Sequence, residues 1–283
     1  MTGALLIDKP SGPTSHDVVA RVRKLFGVRR VGHTGTLDPF ASGLLVVLVG
    51  RVTRLARFVE GRDKTYLATA ELGVTTDTDD LTGQVTGGSP RQVSDAELGG
   101  ALASLMGVQQ QRPPAFSARH VDGRRSYELA RQGVLLDLPP ADIEVHALEL
   151  VGRSGHLVTL RARVSRGTYM RGLARDLGQL LGTGAHLTEL RRERIGDLDV
   201  ADATPLAELS SSTGLRPAAG MLNHLPAADL SASDAVAVRH GRAVPWTGDV
   251  APAVAIHAGG RLLGVGQASA DVLRPIVVLE DPA

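Results

Sequence analysis

The sequence predicts an α+β fold, with a large N-terminal domain followed by a small β-rich domain. Strand-like and helix-like segments follow one another in a mixed order, which differs from the regular alternation of a doubly wound sheet. Residues 210–220 are rich in serine, alanine and glycine, and they are the best candidate for a linker. We therefore expect one domain over residues 1–215 and a second over residues 220–283. The strand-like runs of the second domain cover residues 250–257, 261–266 and 276–279.

Hydrophobic periodicity assigns the elements of the first domain. Residues 3–8 are predicted to form a strand, and a helix over residues 16–26, capped by Ser15, follows because apolar residues recur at helical spacing. Residues 44–50 form a short Val-rich run that is typical of a buried strand. The later segments are predicted as helices over 51–59, 94–106 and 168–181, strands over 64–72, 143–151 and 156–164, an exposed loop over 75–88, and a final loop and strand over 187–195.

Between about residues 112 and 138 the sequence departs from this pattern. Glutamine- and proline-rich sequence is followed by a basic turn at 122–125 and by a short predicted helix at 127–132. We interpret this part as an excursion from the core rather than a core layer.

A glycine-rich loop precedes the buried strand, because residues 32–43 have the sequence GHTGTLDPFASG. Its glycines and its proline are typical of a tight loop rather than the interior of a helix or strand. Pro39 biases Asp38 away from the helical region, so the backbone of this carboxylate is constrained. From the residues alone, Asp38 is as readily a loop-capping aspartate as a reactive one.

The composition excludes several classes of protein. The chain of 283 residues has no cysteine, which excludes disulfides, thiolate metal sites and a thiol nucleophile. No stretch approaches the length of a membrane span, and the N-terminal residues do not resemble a signal peptide, so a cytoplasmic protein is expected. The motifs of phosphate loops, zinc proteases and serine hydrolases are not found either.

The formal net charge of +1 hides an uneven distribution. Residues 1–64 contain 11 lysines and arginines against 5 acidic residues, and residues 161–194 contain 8 against 3. The rest of the chain is acidic. Two basic regions on an acidic chain suggest a composite basic surface for a polyanion, although arginines scattered over solvated faces would give the same count.

Three side chains could supply chemistry on such a surface. A carboxylate such as Asp38 can act as nucleophile or general base, and an arginine partner such as Arg171 would keep it ionised. An aromatic ring such as Tyr66 could stack on a base. Each also has a structural alternative, since a strand tyrosine is usually core and a helix arginine is usually on the surface.

Short motifs before and after the loop occur in a recognisable order. They are Ile7-Asp8-Lys9-Pro10, Thr14-Ser15-His16-Asp17, Lys64-Thr65-Tyr66, Leu72-Gly73 with Thr76-Asp77-Thr78, Phe116-Ser117-Ala118, Gly123-Arg124-Arg125 with Tyr127, Ala130-Arg131-Gln132-Gly133, Gly167-Thr168-Tyr169-Met170-Arg171, Gly184-Ala185-His186-Leu187 and Leu190-Arg191-Arg192. Together with the loop they closely resemble the bacterial tRNA pseudouridine synthase B family. The resemblance covers about residues 3–200 and is weak beyond 210. Phe40 and Phe116 depart modestly from the residues usual in the family.

The resemblance implies a fold and an activity. The expected fold is that of pseudouridine synthases, with a mixed, mainly antiparallel sheet flanked by helices, a thumb-like insertion over about 112–138 and a PUA-like RNA-binding C-terminal domain. The expected enzyme is an isomerase that converts uridine 55 in the T loop of tRNA to pseudouridine by base flipping. It would need no cofactor and no metal, and its partner would be the T arm of tRNA, bound by a monomer without obligate protein partners.

The resemblance also implies residue roles. Asp38 is the expected nucleophile, with attack on the base or on the ribose left open, and Tyr66 and Arg171 are the other catalytic residues. His33 would fill the place vacated by the flipped base. The further substrate-binding residues are Lys9, Tyr169, Leu190, Arg29, Arg30 and Arg191, and phosphate contacts are also expected along the helix at 16–26 and at Arg192.

Two rival functions are compatible with the same residues. A base-removing glycosylase could use a carboxylate near a ribose, but it would release free uracil. A non-catalytic RNA-binding module could use the same scaffold, although the presence of Asp38, Tyr66 and Arg171 argues against it.

Overall fold

The computed structural model describes residues 1–114, 116, 120–121, 124–125 and 138–279. In this part of the chain the α-helices are α1 (Ser15–Phe26), α2 (Ala56–Glu60), α3 (Asp95–Ser104), α4 (Met170–Leu180) and α5 (Ala232–Arg239). The strands are β1 (Gly3–Lys9), β2 (Val31–His33), β3 (Ser42–Val49), β4 (Lys64–Leu72), β5 (Thr75–Thr76), β6 (Val85–Gly87), β7 (Gly107–Gln111), β8 (His120–Val121), β9 (Arg124–Arg125), β10 (Ala141–Ser154), β11 (Leu157–Val164), β12 (Ala185–Ile195), β13 (Leu198–Asp199), β14 (Thr204–Pro205), β15 (Ala227–Asp229), β16 (Val244–Pro245), β17 (Ala251–Ala258), β18 (Arg261–Ser269) and β19 (Val272–Val278). Short 3-10 helices cover Gly50–Leu55, Val200–Asp202, Leu206–Glu208 and Ala218–Met221.

The central sheet has the strand order β14-β1-β3-β12-β4-β11-β10-β7, with β2 and β13 added to β3 and β12. Its neighbours run antiparallel except for the pairs β1 with β14 and β3 with β12. The prediction of a mixed, mainly antiparallel sheet is therefore confirmed. Because β3 pairs with β12 only at its first two residues, the loop that precedes β3 lies against the middle of β12.

β3 is the buried centre of this sheet. All of its residues after Ser42 are buried, and they belong alternately to two core clusters on opposite faces of the sheet: Leu45, Val47 and Val49 to the first, and Leu44, Val46 and Leu48 to the second. Helices α1, α3 and α4 contribute to the first cluster, and residues 50–59 together with the C-terminal domain contribute to the second. Burial on both faces explains why this strand is an uninterrupted apolar run.

The β-rich C-terminal domain is confirmed as a five-stranded sheet with the order β15-β17-β18-β19-β16. One side of this sheet packs on α5 through Val238, and Val265 and Val277 reach the second core cluster of the central sheet. Two arginines add hydrogen bonds between the domains: Nη1 of Arg51 donates to Leu279 O at 3.3 Å, and Nη1 of Arg54 donates to Val278 O at 2.6 Å.

Residues 210–220 differ from the expected linker. Arg216 pairs with Ala4 of β1 through two backbone hydrogen bonds, Ala4 N to Arg216 O at 2.9 Å and Arg216 N to Ala4 O at 2.8 Å. Met221 and Leu222 are then buried in the second core cluster. The composition indicates a flexible segment, but the pairing with β1 and the apolar residues that follow attach it to the first domain.

Helix α1 begins one residue earlier than predicted, and its cap is Thr14 rather than Ser15. Thr14 and Asp17 form a capping box, in which the Thr14 hydroxyl accepts from Asp17 N and the Asp17 carboxylate accepts from Thr14 N. Ser15 is buried instead, and it contacts the glycine-rich loop.

Other segments also differ in detail. The helix predicted over 51–59 is a 3-10 segment followed by the short α2, and the loop over 75–88 contains the small hairpin of β5 and β6. The segment predicted as a final loop and strand is β12, an 11-residue strand in the middle of the sheet. The insertion at 112–138 and its predicted helix lie mostly outside the described residues. Among the described residues, no helix is long and apolar enough to cross a membrane.

Candidate active site

A cleft opens where the glycine-rich loop, β4 and the N-terminal end of α4 meet. Its cavity volume is about 130 Å³, and it is open to solvent. Its lining includes five of the residues predicted for the site: Asp38, Tyr66, Tyr169, Arg171 and Leu190. The other lining residues are Thr36, Leu37, Thr168 and Met170.

Asp38 and Arg171 form a bidentate ion pair in this cleft. Nε of Arg171 lies 3.0 Å from Oδ2 of Asp38, and Nη2 lies 3.3 Å from Oδ1. The arginine side chain is only 4% exposed, whereas the aspartate side chain is 34% exposed. The aspartate therefore faces the cleft, and the arginine holds it from the protein side.

The Arg171 guanidinium contacts two other segments of the chain. Nη1 donates to Thr78 O at 3.0 Å and lies 3.5 Å from the Asp80 carboxylate, and Nη2 donates to Phe116 O at 2.8 Å. Asp80 is itself buried and accepts hydrogen bonds from the hydroxyls of Thr78 and Thr82. These contacts fix the plane of the guanidinium and so fix the direction in which Asp38 points.

Opposing effects act on the protonation of Asp38. Burial raises the pKa of its carboxyl, and the nearby Asp80 carboxylate adds to the rise, while Arg171 and Lys9 favour the ionised form. The net shift of the pKa is upward. An ionised carboxylate that is incompletely solvated is a stronger nucleophile and base than one in bulk water, and the paired arginine favours this ionised form against the upward shift of the pKa.

Buried side chains hold the loop on both sides of Asp38. The Ser15 hydroxyl donates to Leu37 O at 3.0 Å and accepts from Leu37 N at 2.8 Å. Lys9 is fully buried, and its Nζ donates to the carbonyls of Pro10, Pro13 and Pro39. Lys9 does not line the cleft, so it is not placed to bind substrate directly; its contacts agree with the other role that the resemblance implies for Lys9-Pro10, support of the floor of the site.

Arg192 holds the same loop from β12. It is 1% exposed, and its guanidinium donates to the carbonyls of Leu44 at 2.8 Å, Thr36 at 3.3 Å and Gly35 at 3.1 Å. The expected phosphate contact of Arg192 is therefore wrong, since all three of its nitrogens are used inside the protein. The neighbouring Arg191 is partly exposed and forms a bidentate pair with Asp8.

Some of the remaining predicted residues line the cleft, and others lie outside its lining. Tyr66 and Leu190 are each 8% exposed and line it from β4 and β12. His33 is partly buried at the end of β2, and its Nδ1 accepts from Gly35 N at 3.3 Å. Arg29 and Arg30 are exposed in the turn after α1.

Sequence reasoning missed several residues that shape the site. Asp80 lies two residues beyond the motif Thr76-Asp77-Thr78 and has no predicted role, and Ser15 is predicted only as a helix cap. Gln111 is 2% exposed and bonds to the backbone of Tyr169, but its sequence context indicated only a Gln-rich segment. The periodicity of a single segment cannot find such residues, because their partners come from distant parts of the chain.

Comparison with known proteins identifies the family. A family model described as "TruB family pseudouridylate synthase (N terminal domain)" matches residues 23–170, and one described as "tRNA pseudouridylate synthase B C-terminal domain" matches residues 171–217. The chain belongs to the TruB family. The resemblance seen in the motifs is confirmed.

Curated TruB-family relatives match over nearly the whole chain. The chain is 42% identical over 286 residues to the tRNA pseudouridine synthase B of Thermobifida fusca (strain YX), with 98% of each chain covered. It is 40% identical over 279 residues to that of Azoarcus sp. (strain BH72), which covers 96% of this chain and 93% of the relative. The alignments therefore extend into the C-terminal domain, where the motifs were weak.

Solved structures confirm the pseudouridine synthase fold of the TruB family. A chain from the crystal structure of a Cbf5-Nop10-Gar1 complex is similar with a TM-score of 0.77 and 26% identity, over 99% of this chain and 85% of that chain. The similarity includes both domains, so the C-terminal domain is part of the shared architecture.

Proposed function

We propose that the chain is a tRNA pseudouridine synthase that isomerises uridine 55 in the T loop of tRNA. The observation that carries the proposal is the pair of Asp38 and Arg171 at the inner end of a cleft with tyrosine and leucine walls. The names of the relatives, tRNA pseudouridine synthase B, support tRNA as the substrate class. Asp38, Tyr66 and Arg171 are the catalytic residues in this proposal.

The reaction requires no net oxidation and no group from outside. The bond between C1′ of the ribose and N1 of uracil breaks, the uracil turns, and a bond forms between C1′ and C5. The proton that leaves C5 is balanced by the proton gained at N1. Asp38 begins the sequence as nucleophile or base, either at the uracil ring or at the ribose, and Arg171 keeps its carboxylate ionised and aimed into the cleft.

The walls of the cleft suit a detached uracil. Tyr66 stands on β4 with its side chain largely buried and lines the cleft, and in this proposal its ring packs on the base and its phenol oxygen takes up the C5 proton. Tyr169 and Leu190 form the remaining apolar walls. In this proposal these walls retain the uracil after the glycosidic bond has broken, so the base is rejoined rather than lost.

Base flipping explains why the aspartate can reach a uridine inside a folded T loop. Extruding a base costs a few kcal/mol of stacking and pairing. His33 ends β2, five residues before Asp38, and in this proposal its imidazole ring occupies the space that the base leaves. The ring is already held by Gly35 N, so little further ordering is needed when RNA binds.

In this proposal exposed cations contact the RNA backbone. Arg29 and Arg30 in the turn after α1 are the phosphate contacts that we assign first, and Arg191, whose guanidinium also pairs with Asp8, is a further substrate contact. We also assign RNA binding to the PUA-like C-terminal domain. The enzyme acts as a monomer in this proposal.

Nucleoside analysis of a T-arm stem-loop tests this function. Incubation with excess purified protein and no cofactor should convert one uridine to pseudouridine with no change in RNA mass. A stem-loop that carries cytidine at position 55 should not react. Absence of pseudouridine after long incubation would contradict the proposal, and release of free uracil would instead indicate a glycosylase.

The Asp38→Asn variant is the matched control. It keeps the size of the side chain but removes the charge, so turnover should be abolished while tRNA affinity stays within a few-fold of the wild type. A variant that retains turnover would remove Asp38 from the mechanism, whatever the wild type does.

A further inference from the structure

Gln111 ends strand β7 at the edge of the central sheet, and its side chain is directed at the start of α4. The residue is 2% exposed. Its Oε1 accepts a hydrogen bond from Tyr169 N at 2.8 Å, and its Nε2 donates to Tyr169 O at 3.1 Å. One side-chain amide thus satisfies both backbone groups of a single residue, as a neighbouring strand would.

The residue held in this way begins the helix that carries the catalytic arginine. Tyr169 is the N-cap of α4, and no side chain caps this end of the helix. Arg171 follows two residues later and forms the bidentate pair with Asp38. The amide of Gln111 also packs against the first turn, because a Cβ added at Gly172 would lie 3.0 Å from its Nε2 and Cδ atoms.

We propose that Gln111 is a positioning residue that fixes Tyr169 and Arg171 relative to Asp38. It touches neither Asp38 nor the space where the uracil would lie, so it acts through the backbone of Tyr169. On its other side β7 pairs with β10, and Gln111 itself pairs with Ala141. The rigid edge of the sheet therefore fixes the position of the start of α4 through Gln111.

The chemistry of the amide makes the proposal testable. The site requires a donor and an acceptor at the same time, and an amide supplies both at every pH. A carboxyl group of the same size supplies both only when it is protonated, since an ionised carboxylate would face the carbonyl oxygen of Tyr169 with a second acceptor. A buried glutamate that lacks a cationic partner has a raised pKa.

The experiment compares Gln111→Glu, Gln111→Met and the wild type in single-turnover assays on the T-arm stem-loop, from about pH 6 to about pH 8.5. The Met variant should react about 10- to 100-fold more slowly at every pH, because small displacements of catalytic groups cost this much. The rate of the Glu variant relative to the wild type should rise as the pH falls and its carboxyl group gains a proton. A general loss of packing would not give this recovery.

Gln110→Glu is the control for the added carboxyl group. Gln110 is the preceding residue of β7, is exposed, and bonds Asp142 on β10 rather than α4. Its variant should show the wild-type rate and the wild-type pH profile. A Met variant at position 111 with the wild-type rate, or a Glu variant whose relative rate does not depend on pH, would overturn the proposal.

The activity assay for Gln111 rests on the proposed function. Hydrogen exchange tests the contact between Gln111 and Tyr169 independently of that function. The Tyr169 amide should exchange faster in Gln111→Met than in the wild type, while the amide of Leu177 in the centre of α4 should not change. If the wild type forms no pseudouridine, the proposed function fails, and the exchange rates still test the contact. If the wild type is active and the Tyr169 amide exchanges equally in both proteins, the inference about Gln111 fails alone.

Discussion

At the scale of single residues, the loop that carries Asp38 is supported by buried cations that have carbonyl partners rather than carboxylates. Lys9 and Arg192 contact the loop, and Lys64 at the start of β4 donates to the carbonyls of Glu60 and Arg62. Within the described ranges, none of these three forms an ion pair with a carboxylate. Carbonyl oxygens orient a cation without placing further negative charge beside Asp38.

This arrangement has a cost that depends on pH. Burial lowers the pKa of Lys9 to about 8 and that of Lys64 to about 8, from an ordinary value of 10.5. Below pH 8 both lysines are charged in the folded and the unfolded chain, and the folded chain bears the full cost of burying them. Between pH 8 and 10.5 the unfolded chain holds more protons than the folded chain, so the free energy of unfolding rises with pH in this window.

We therefore predict that the protein becomes more stable from about pH 8 to about pH 10, with a slope of up to about 1.4 kcal/mol per pH unit for each lysine that has lost its proton in the folded state. Urea unfolding at several pH values measures this slope. Lys64→Met should reduce the slope, and Lys24→Met, which changes an exposed lysine of α1, should leave it unchanged. A stability that is constant or falls over this window in the wild type would contradict the prediction.

At the scale of elements, the pairing of β3 with β12 positions the loop that carries Asp38. Gly43 pairs with Lys9 of β1 on one side and with Arg192 of β12 on the other, and its φ of 101° lies in the region that favours glycine. A Cβ at this position would clash with the backbone of Arg192, including its nitrogen at 2.7 Å. The close approach of three strands at the end of the loop therefore requires glycine.

Gly43→Ala is accordingly expected to destabilise the protein by roughly 2–4 kcal/mol, since it combines backbone strain with overpacking against a central strand. Gly99→Ala is the matched control, because Gly99 is exposed in α3 with nothing within 4 Å of an added Cβ. This control should gain about 0.5–1 kcal/mol from the higher helix propensity of alanine. Urea unfolding measures both changes, and a Gly43→Ala variant as stable as the wild type would show that the strands can separate.

The elements differ in how well the sequence predicts them. β3 and β4 follow from local pattern, since one is apolar throughout and the other alternates between buried and half-buried residues. β12 does not, because its arginines and glutamates resemble an exposed segment although Arg192 is among the most deeply buried side chains. Carbonyl groups of the distant loop that carries Asp38 make this burial possible, and no local pattern contains that information.

The same distinction applies to the site. Asp38, Tyr66 and Arg171 could be chosen from motifs, and the structure brings all three to one cleft. Gln111 and Ser15 could not be assigned their contacts, because each is defined by a hydrogen bond to the backbone of a residue far away in sequence. Motifs predict the groups that react, whereas the groups that position them depend on the packing of the whole chain.

At the scale of the whole molecule, the two basic regions of the sequence are not equivalent. The arginines of residues 161–194 are mostly used within the protein: Arg161 pairs with Glu193, Arg163 with Asp63, Arg171 with Asp38, Arg175 with Asp79, Arg191 with Asp8 and Arg194 with Asp199, and Arg192 is buried. In contrast, Arg21, Lys24, Arg29 and Arg30 are exposed and form no ion pair with any described residue. The composite basic surface expected from composition is thus reduced largely to the region around α1 and the turn that follows it.

This asymmetry predicts where the salt dependence of tRNA binding originates. Each cation that neutralises a phosphate adds about 0.7–0.9 to the slope of log affinity against log salt concentration. The double variant Arg29→Ala/Arg30→Ala should therefore weaken tRNA binding at low salt and reduce the slope by about 1.4–1.8. The control Arg161→Ala/Arg194→Ala also removes two exposed arginines, but both are paired with carboxylates, so it should leave the slope nearly unchanged. Filter binding of tRNA between low and moderate salt measures both slopes. Equal reductions in the two variants would mean that the paired arginines exchange their carboxylates for phosphates, and the basic surface would then extend across both regions.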